Sequence, residues 1–329
     1  MIRGGAIGDF ILTLPVLAAL RRHSPDCRLA VLGHPPIAQL AQAAGLVHEV
    51  HSVAARALTA FFIRGGELSR ESASFFARFD LVVSYLSDPD GAFHENLARC
   101  SDARLITGPH RPDESLLRHA TEAYLKPLEQ LGIRGADPVP RLHIGLPSQR
   151  AADAFPPTVA LHPGSGSERK NWPETKWGAL LDGLLQHTPL NMLLVGGEAE
   201  GDRLPRLAGG RPPWRLRLAR SLPLVTLAQR LGECAAFVGH DSGISHLAAA
   251  VGLPGVVLWG DSAEAVWRPR SDRCLLLRDP RGLAELPVSR VLAAVRSLGE
   301  GAPAGSHRGL SVGGNPGLDP TPTRTRDRL

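Results

Sequence analysis

Residues 234–260 read CAAFVGHDSGISHLAAAVGLPGVVLWG, and no other stretch restricts the fold as tightly. An apolar run (Cys234 to Val238) ends in a knot of Gly, His, Asp and Ser. A short Ala-rich helical stretch follows, and Gly-Leu-Pro then leads into a second apolar run. Strand, helix and strand in immediate succession are the unit of an α/β architecture with parallel sheets. The turn between the first strand and the helix is also a natural anion site, because a helix start exposes unpaired N–H groups and the positive end of its dipole. A carboxylate placed there, Asp241, needs a reason.

The same alternation runs through the chain. The loop GGAIGD (Gly4 to Asp9) is followed by a helical run from Phe10 to Arg22, and CRLAVLG, LVHEVHSV, DLVVSYL and ARLITG read as strands between helical segments. Gly135 to Pro157 is rich in Pro, Gly and Ser and has no helical period, which places a domain boundary there. A second series follows in TVALH, NMLLVGG, CAAFVGH, VVLWG and CLLL. This gives an N-terminal domain over 1–150, a C-terminal domain over 151–298, and a Gly/Pro/Ser-rich tail over 299–329 that is expected to be disordered.

Composition excludes several classes. The chain of 329 residues is 43% hydrophobic and 21% charged, and its net charge of +5 is spread along the sequence with no block basic enough for a nucleic-acid footprint. No apolar run reaches the ~18 residues of a membrane span, and no leader pattern opens the chain, so a cytoplasmic protein is expected. The four cysteines form no CxxC pair, and no metal site is expected. Lysine is scarce: Lys126, Lys170 and Lys176 are the only three among 37 basic residues. A lysine beside a Gly-Ser loop is therefore notable, since its compact charge suits phosphate.

That loop is LHPGSGSERKNWPETKW (Leu161 to Trp177). Gly164, Ser165, Gly166 and Ser167 leave backbone N–H groups accessible and Lys170 can close over what they hold, so the loop reads either as a phosphate cradle or as an ordinary strand-helix connection. It is neither a Walker A loop nor a dinucleotide fingerprint, since Arg169 stands where each needs glycine. The turns at Gly164–Lys170 and Gly239–Ser245 both follow predicted strands, where open α/β sheets bind ligands, so one domain offers two helix starts and a lysine to a diphosphate. Between them, VGGEAEGDR supplies Glu198 and Glu200, either for ribose hydroxyls or as a solvated acidic helix start. In the first domain Asp9 is either a helix cap or, facing a nucleotide domain across a cleft, a general base.

Taken in order, RGGAIGDFILTLPVLAALRRHSP, HPGSGSERKNWPETKW, VGGEAEGDR and GHDSGISHLAAAVGLPGVVLWG resemble glycosyltransferase family 9, the ADP-heptose:lipopolysaccharide heptosyltransferases and their relatives. The resemblance covers nearly the whole chain to about residue 298. It implies a GT-B fold, two Rossmann-like domains facing across a cleft, with the acceptor held mostly by the first and the nucleotide-sugar by the second. By position it implies Asp9 as catalytic base in a single inverting displacement and Ser165, Gly166 and Lys170 as a diphosphate loop. Glu200 becomes the nucleoside contact, and Asp241, Ser242, Gly243 and His246 the donor turn. Asp241 either engages sugar hydroxyls or orients the lysine. The donor is a nucleotide-diphosphate sugar, ADP-sugar favoured, used as substrate with no separate cofactor. The acceptor is a lipopolysaccharide-core or other glycan or glycolipid, which allows peripheral contact with the inner membrane.

Departures from the family pattern narrow the transfer. Only Met1, Ile2 and Arg3 precede the first glycine loop, so either the first strand is truncated or the recorded start is late, and a missing central strand would expose sheet edges. Ser and Gly replace paired threonines before Lys170, which leaves nucleotide and sugar open. Arg56, Arg64 and Arg70 either meet acceptor phosphates or form a solvated helix face. Two other readings stand beside transfer: a sugar-nucleotide epimerase on the same scaffold, and a non-catalytic nucleotide-binding module.

Overall fold

The computed structural model describes residues 1–54, 56–145 and 156–299. The boundary expected at residue 150 and the tail from residue 300 onward lie outside the described residues. The chain forms two all-parallel sheets flanked by helices. The first contains β1 (Ile2–Arg3), β2 (Ala30–Gly33), β3 (Glu49–Ser52), β4 (Leu81–Ser84) and β5 (Arg104–Thr107), in the order β3-β2-β1-β4-β5. Its helices are α1 (Ile7–Ile11), α2 (Leu14–His23), α3 (Pro35–Ala43), α4 (Arg70–Ala77), α5 (Ala92–Ala98) and α6 (Ala120–Leu125).

The second sheet contains β6 (Thr158–Leu161), β7 (Asn191–Gly196), β8 (Leu216–Arg220), β9 (Ala236–His240), β10 (Gly255–Leu258) and β11 (Cys274–Leu277), in the order β11-β10-β9-β6-β7-β8. With it go α7 (Glu174–His187), α8 (Arg203–Ala208), α9 (Leu224–Gly232), α10 (Gly243–Ala250), α11 (Glu264–Trp267) and α12 (Val288–Gly299). Each sheet reverses its winding once, between β1 and β4 in the first and between β6 and β9 in the second, and such reversals open a crevice at the strand carboxyl ends.

Three elements differ from the sequence reading. The first strand is not missing: Ile2–Arg3 occupies the centre of its sheet, paired with β2 and β4, so no central edge is exposed. Its neighbours supply the burial that two residues cannot supply alone. The single helix expected from Phe10 to Arg22 is two helices broken at Leu12–Thr13, where the Thr13 hydroxyl bonds the Phe10 carbonyl and Pro15 sits in the first turn of α2. β8 was not expected as a strand; it is an edge strand whose exposed positions carry Arg217 and Arg220.

The two domains share a core. Phe10, Ile11, Leu14 and Leu17 pack in one cluster with Leu227, Ala228, Leu231 and Leu247, so that α1 lies on α10 and α3 on α9. The segment leading out of the first domain joins this seam, with Leu142 and Ile144 buried and the Leu142 N–H bonded to the Ala250 carbonyl at 2.8 Å. Close approach of α1 and α10 requires glycine. A Cβ on Gly243 would stand 2.8 Å from Ile7 Cβ and 2.9 Å from the Gly8 nitrogen, and one on Gly8 would stand 3.3 Å from the His246 ring. Because the obstacle to Gly243→Ala is backbone, this substitution is expected to destabilise the protein by about 1–3 kcal/mol. The check is a lowered melting temperature; an unchanged one would show that the two helices are not in contact in solution.

Candidate active site

The segments that follow five strands, β1, β6, β7, β9 and β10, build the site. At the end of β9, His240 is fully buried between two backbone groups: its Nε2 accepts the Trp172 N–H at 2.9 Å and its Nδ1–H donates to the Gly164 carbonyl at 3.1 Å. The ring thereby ties the loop after β6 to the end of β9. Burial pushes its pKa down to about 3, so it is neutral. In the loop itself the Ser165 hydroxyl is turned inward, donating to the Ser167 carbonyl at 2.7 Å, while Gly166 is exposed with open space where a Cβ would stand.

Lys170 and Asp241 meet across these two turns at 2.6 Å, Nζ to Oδ2. The same oxygen accepts the Ser262 hydroxyl from the turn after β10 at 2.5 Å. Ser242 precedes α10 without capping it, and its hydroxyl faces His162 Nδ1 at 3.4 Å and Ser245 at 3.5 Å. The start of α10 therefore keeps its N–H groups free of a side-chain cap. Glu200 is buried on the third turn: its Oε2 accepts the Gly197 N–H at 2.5 Å and its Oε1 lies 3.6 Å from His162 Nε2. Burial alone would raise its pKa, but the adjacent His162 ring and the Gly197 N–H outweigh burial and lower it from the ordinary carboxylate value. The carboxylate lies against Gly164, where a Cβ would come within 2.0 Å of it. Glu198 is exposed.

Across the seam, Asp9 follows Gly8, the residue in contact with α10. Ala6, not Asp9, precedes the helix; Asp9 stands one turn in, and its Oδ2 accepts the Ala6 N–H at 3.0 Å. Its other oxygen lies 3.6 Å from Arg3, and the side chain is 34% exposed. The His246 ring lies beside Gly8, where a Cβ would stand 3.3 Å from it. Burial pushes its pKa down to about 4 although Asp241 and Asp9 both favour its charged form. The structure thus brings Asp9, Lys170, Asp241, Ser242, Gly243 and His246 to one place, and sets Ser165 and Glu200 beneath the loop that exposes Gly166.

Sequence reasoning missed Arg3 and Ser262. Arg3 is 1% exposed, donates to the His110 carbonyl and the Tyr124 hydroxyl at 2.8 Å each, and stacks 4.6 Å from the Tyr124 ring centroid. Its nearest carboxylate is Asp9. The signal was an arginine in a strand that parallel pairing buries on both faces, since a buried cation calls for a counter-ion nearby. Ser262 was signalled by Gly260-Asp261-Ser262, a fourth polar turn directly after an apolar strand.

Neutral, buried His240 and His246 make stability depend on pH. Their folded pKa values lie below the ordinary histidine value of about 6.5, so their contribution is complete above about pH 6.5 and is lost as pH falls toward about 4 and then about 3. Melting temperature is expected to be flat from about pH 7 to 8 and to drop steadily below about pH 6.5. An equal melting temperature at about pH 5 and pH 7 would show these rings charging within the folded state.

Comparison with known proteins identifies the fold and the family. The family model for glycosyltransferase family 9 (heptosyltransferase) matches residues 109–285, more than half of the chain. Lipopolysaccharide heptosyltransferase 3 of Escherichia coli is 22% identical over 88% of this chain and 96% of its own length. Lipopolysaccharide heptosyltransferase 1 of Pseudomonas aeruginosa is 35% identical over 35% of this chain and 33% of its own length. Among solved structures, E. coli heptosyltransferase WaaC with ADP superposes with a TM-score of 0.71 at 22% identity, covering 90% of this chain and 98% of that one. The family 9 glycosyl transferase from Veillonella parvula DSM 2008 gives 0.71 at 20% identity, covering 91% and 96%. These neighbours show the two-domain GT-B fold, and with the family match they establish that this chain is a sugar-transferring enzyme and belongs to glycosyltransferase family 9.

Proposed function

We propose that the enzyme moves heptose or a related sugar from an ADP-sugar to a lipopolysaccharide-core or related glycolipid acceptor by one inverting displacement. The observation that carries this reading is the Lys170–Asp241 pair at the turn leading into α10, whose Gly243 packs on Gly8, the neighbour of Asp9. The names of the full-length relatives support heptose and lipopolysaccharide, and the ADP of the WaaC structure supports the nucleotide. Family membership weighs against the epimerase and the non-catalytic module.

In this reading the donor diphosphate lies on the open backbone at Gly166 and on the start of α10 at Gly243, with Lys170 beside it. Ser165 and Glu200 shape that loop from below, Glu200 toward the nucleoside, and Ser242 and His246 line the turn. Asp241 serves both of its candidate roles with different atoms: Oδ2 is held by Lys170 and Ser262, and Oδ1 remains for a sugar hydroxyl. Asp9 takes the proton of the acceptor hydroxyl as that oxygen bonds to the anomeric carbon, and the bond from this carbon to the diphosphate oxygen breaks. Lys170 and the N–H groups stabilise the charge left on the diphosphate, so no cofactor is invoked. Among the described residues no helix is long and apolar enough to cross a membrane. Phe62 and Ile63 are exposed next to the exposed Arg64, which supports peripheral contact with an anionic glycolipid surface at the inner face of the membrane by a cytoplasmic enzyme.

Asp9→Asn keeps the bond from the Ala6 N–H and removes the base. It is expected to lower transfer to acceptor by about 10²–10⁴-fold while ADP-sugar affinity stays within a few-fold of the parent. Steady-state transfer assays paired with calorimetry test this; normal turnover would reduce Asp9 to a helix-terminal bond acceptor.

A further inference from the structure

The turn after β10 joins the donor turn to the opposite domain. Trp259 is buried, and its indole N–H donates to the Ser262 carbonyl at 2.9 Å, which fixes Ser262 to the strand end. The Ser262 hydroxyl donates to Asp241 Oδ2 at 2.5 Å, the oxygen already bonded to Lys170. With both donors on one oxygen, Oδ1 has no hydrogen-bond partner among the described residues, and the Asp241 side chain is 10% exposed. A carboxylate oxygen without a protein donor, next to a cation that suits diphosphate, is placed to accept from a hydroxyl of the bound donor.

Immediately afterwards the chain enters the first domain. Val266 is fully buried in a core with Leu12, Val16, Ala120 and Tyr124. The Trp267 indole donates to Glu114 at 2.9 Å, and Arg111 stacks on the Trp267 ring at 5.3 Å. His119 accepts from the Thr121 N–H through Nδ1, so its Nε2–H donates to the Arg268 carbonyl at 2.9 Å. Arg270 pairs with Glu122 at 2.6 Å. Residues 260–270 thus form a strap, pinned at one end to the carboxylate of the donor turn and at the other to the acceptor-side domain.

We propose that Ser262 is a positioning residue: it holds Asp241 Oδ2 beside Lys170 so that Oδ1 faces the donor sugar, and the anchorage of Val266 makes this alignment depend on the docking of the two domains. The assignment rests on the reading of this turn as the donor site. It predicts a split between nucleotide and sugar. ADP is held by the backbone and Lys170 and needs little from Ser262, whereas the sugar needs the aimed carboxylate.

The test compares ADP and ADP-heptose on the full chain by calorimetry, with transfer assays alongside. Ser262→Ala is expected to leave ADP affinity within about two-fold while weakening ADP-heptose by about ten-fold, the scale of one hydrogen bond to a charged group, and to lower kcat. Ser262→Thr, which keeps a hydroxyl, restores the ADP-heptose preference. Val266→Ala is expected to lower the same preference by a smaller factor and to add little in combination with Ser262→Ala, because both act through one carboxylate. An unchanged ratio of the two affinities in Ser262→Ala, or an equal loss of both, overturns the assignment. A parent protein that binds neither ligand overturns the donor reading beneath it.

Discussion

The site exists because two backbones touch. Gly8 at the start of α1 and Gly243 at the start of α10 leave no room for a methyl group between them. A side chain at Gly243 would run into Ile7 and the Gly8 backbone, and one at Gly8 would crowd the His246 ring, so the contact that sets Asp9 beside the start of α10 depends on both glycines. Because a helix start carries unpaired N–H groups, the uncapped start of α10 brings positive potential to this contact. The anionic side chains there are each tethered by neighbours: Asp9 by Ala6 and Arg3, Asp241 by Lys170 and Ser262, Glu200 by Gly197 and His162.

Beneath the crevice the polar groups serve position. His240 links the loop after β6 to β9 through one donor and one acceptor, a role that requires the neutral ring that burial enforces. Ser165 closes its own loop, and Glu200 packs so closely on Gly164 that the glycine is required by the carboxylate behind it. Residues that sequence reasoning placed together as ligand contacts therefore divide by depth. Gly166 is exposed and Lys170 part-exposed, while Ser165 and Glu200 are buried beneath the same loop.

Much of this was legible in the sequence because strand-end turns announce themselves. Apolar runs such as Cys234–Val238 end abruptly in Gly, Ser, Asp and His, and at a reversal of sheet winding such turns must converge. What was not legible depends on neighbours far along the chain. Ile2–Arg3 is too short to read as a strand until β2 and β4 flank it, and Arg3 gains meaning only beside Tyr124 and Asp9. In β8 only Leu216 and Ala219 are buried while Arg217, Leu218 and Arg220 are exposed, so this edge strand has no period of two for the sequence to show. Val266 reads as one more apolar residue of the second domain, yet it is packed in the core of the first.

The central claim is that a nucleoside diphosphate is held where Lys170 meets the start of α10. Titration calorimetry of ADP against the parent and Lys170→Ala tests it directly. Loss of one charge-assisted hydrogen bond to phosphate is expected to weaken ADP by about 10- to 100-fold, with melting temperature nearly unchanged because Lys170 is 39% exposed. Equal affinity in the two proteins would place the diphosphate elsewhere and contradict the account.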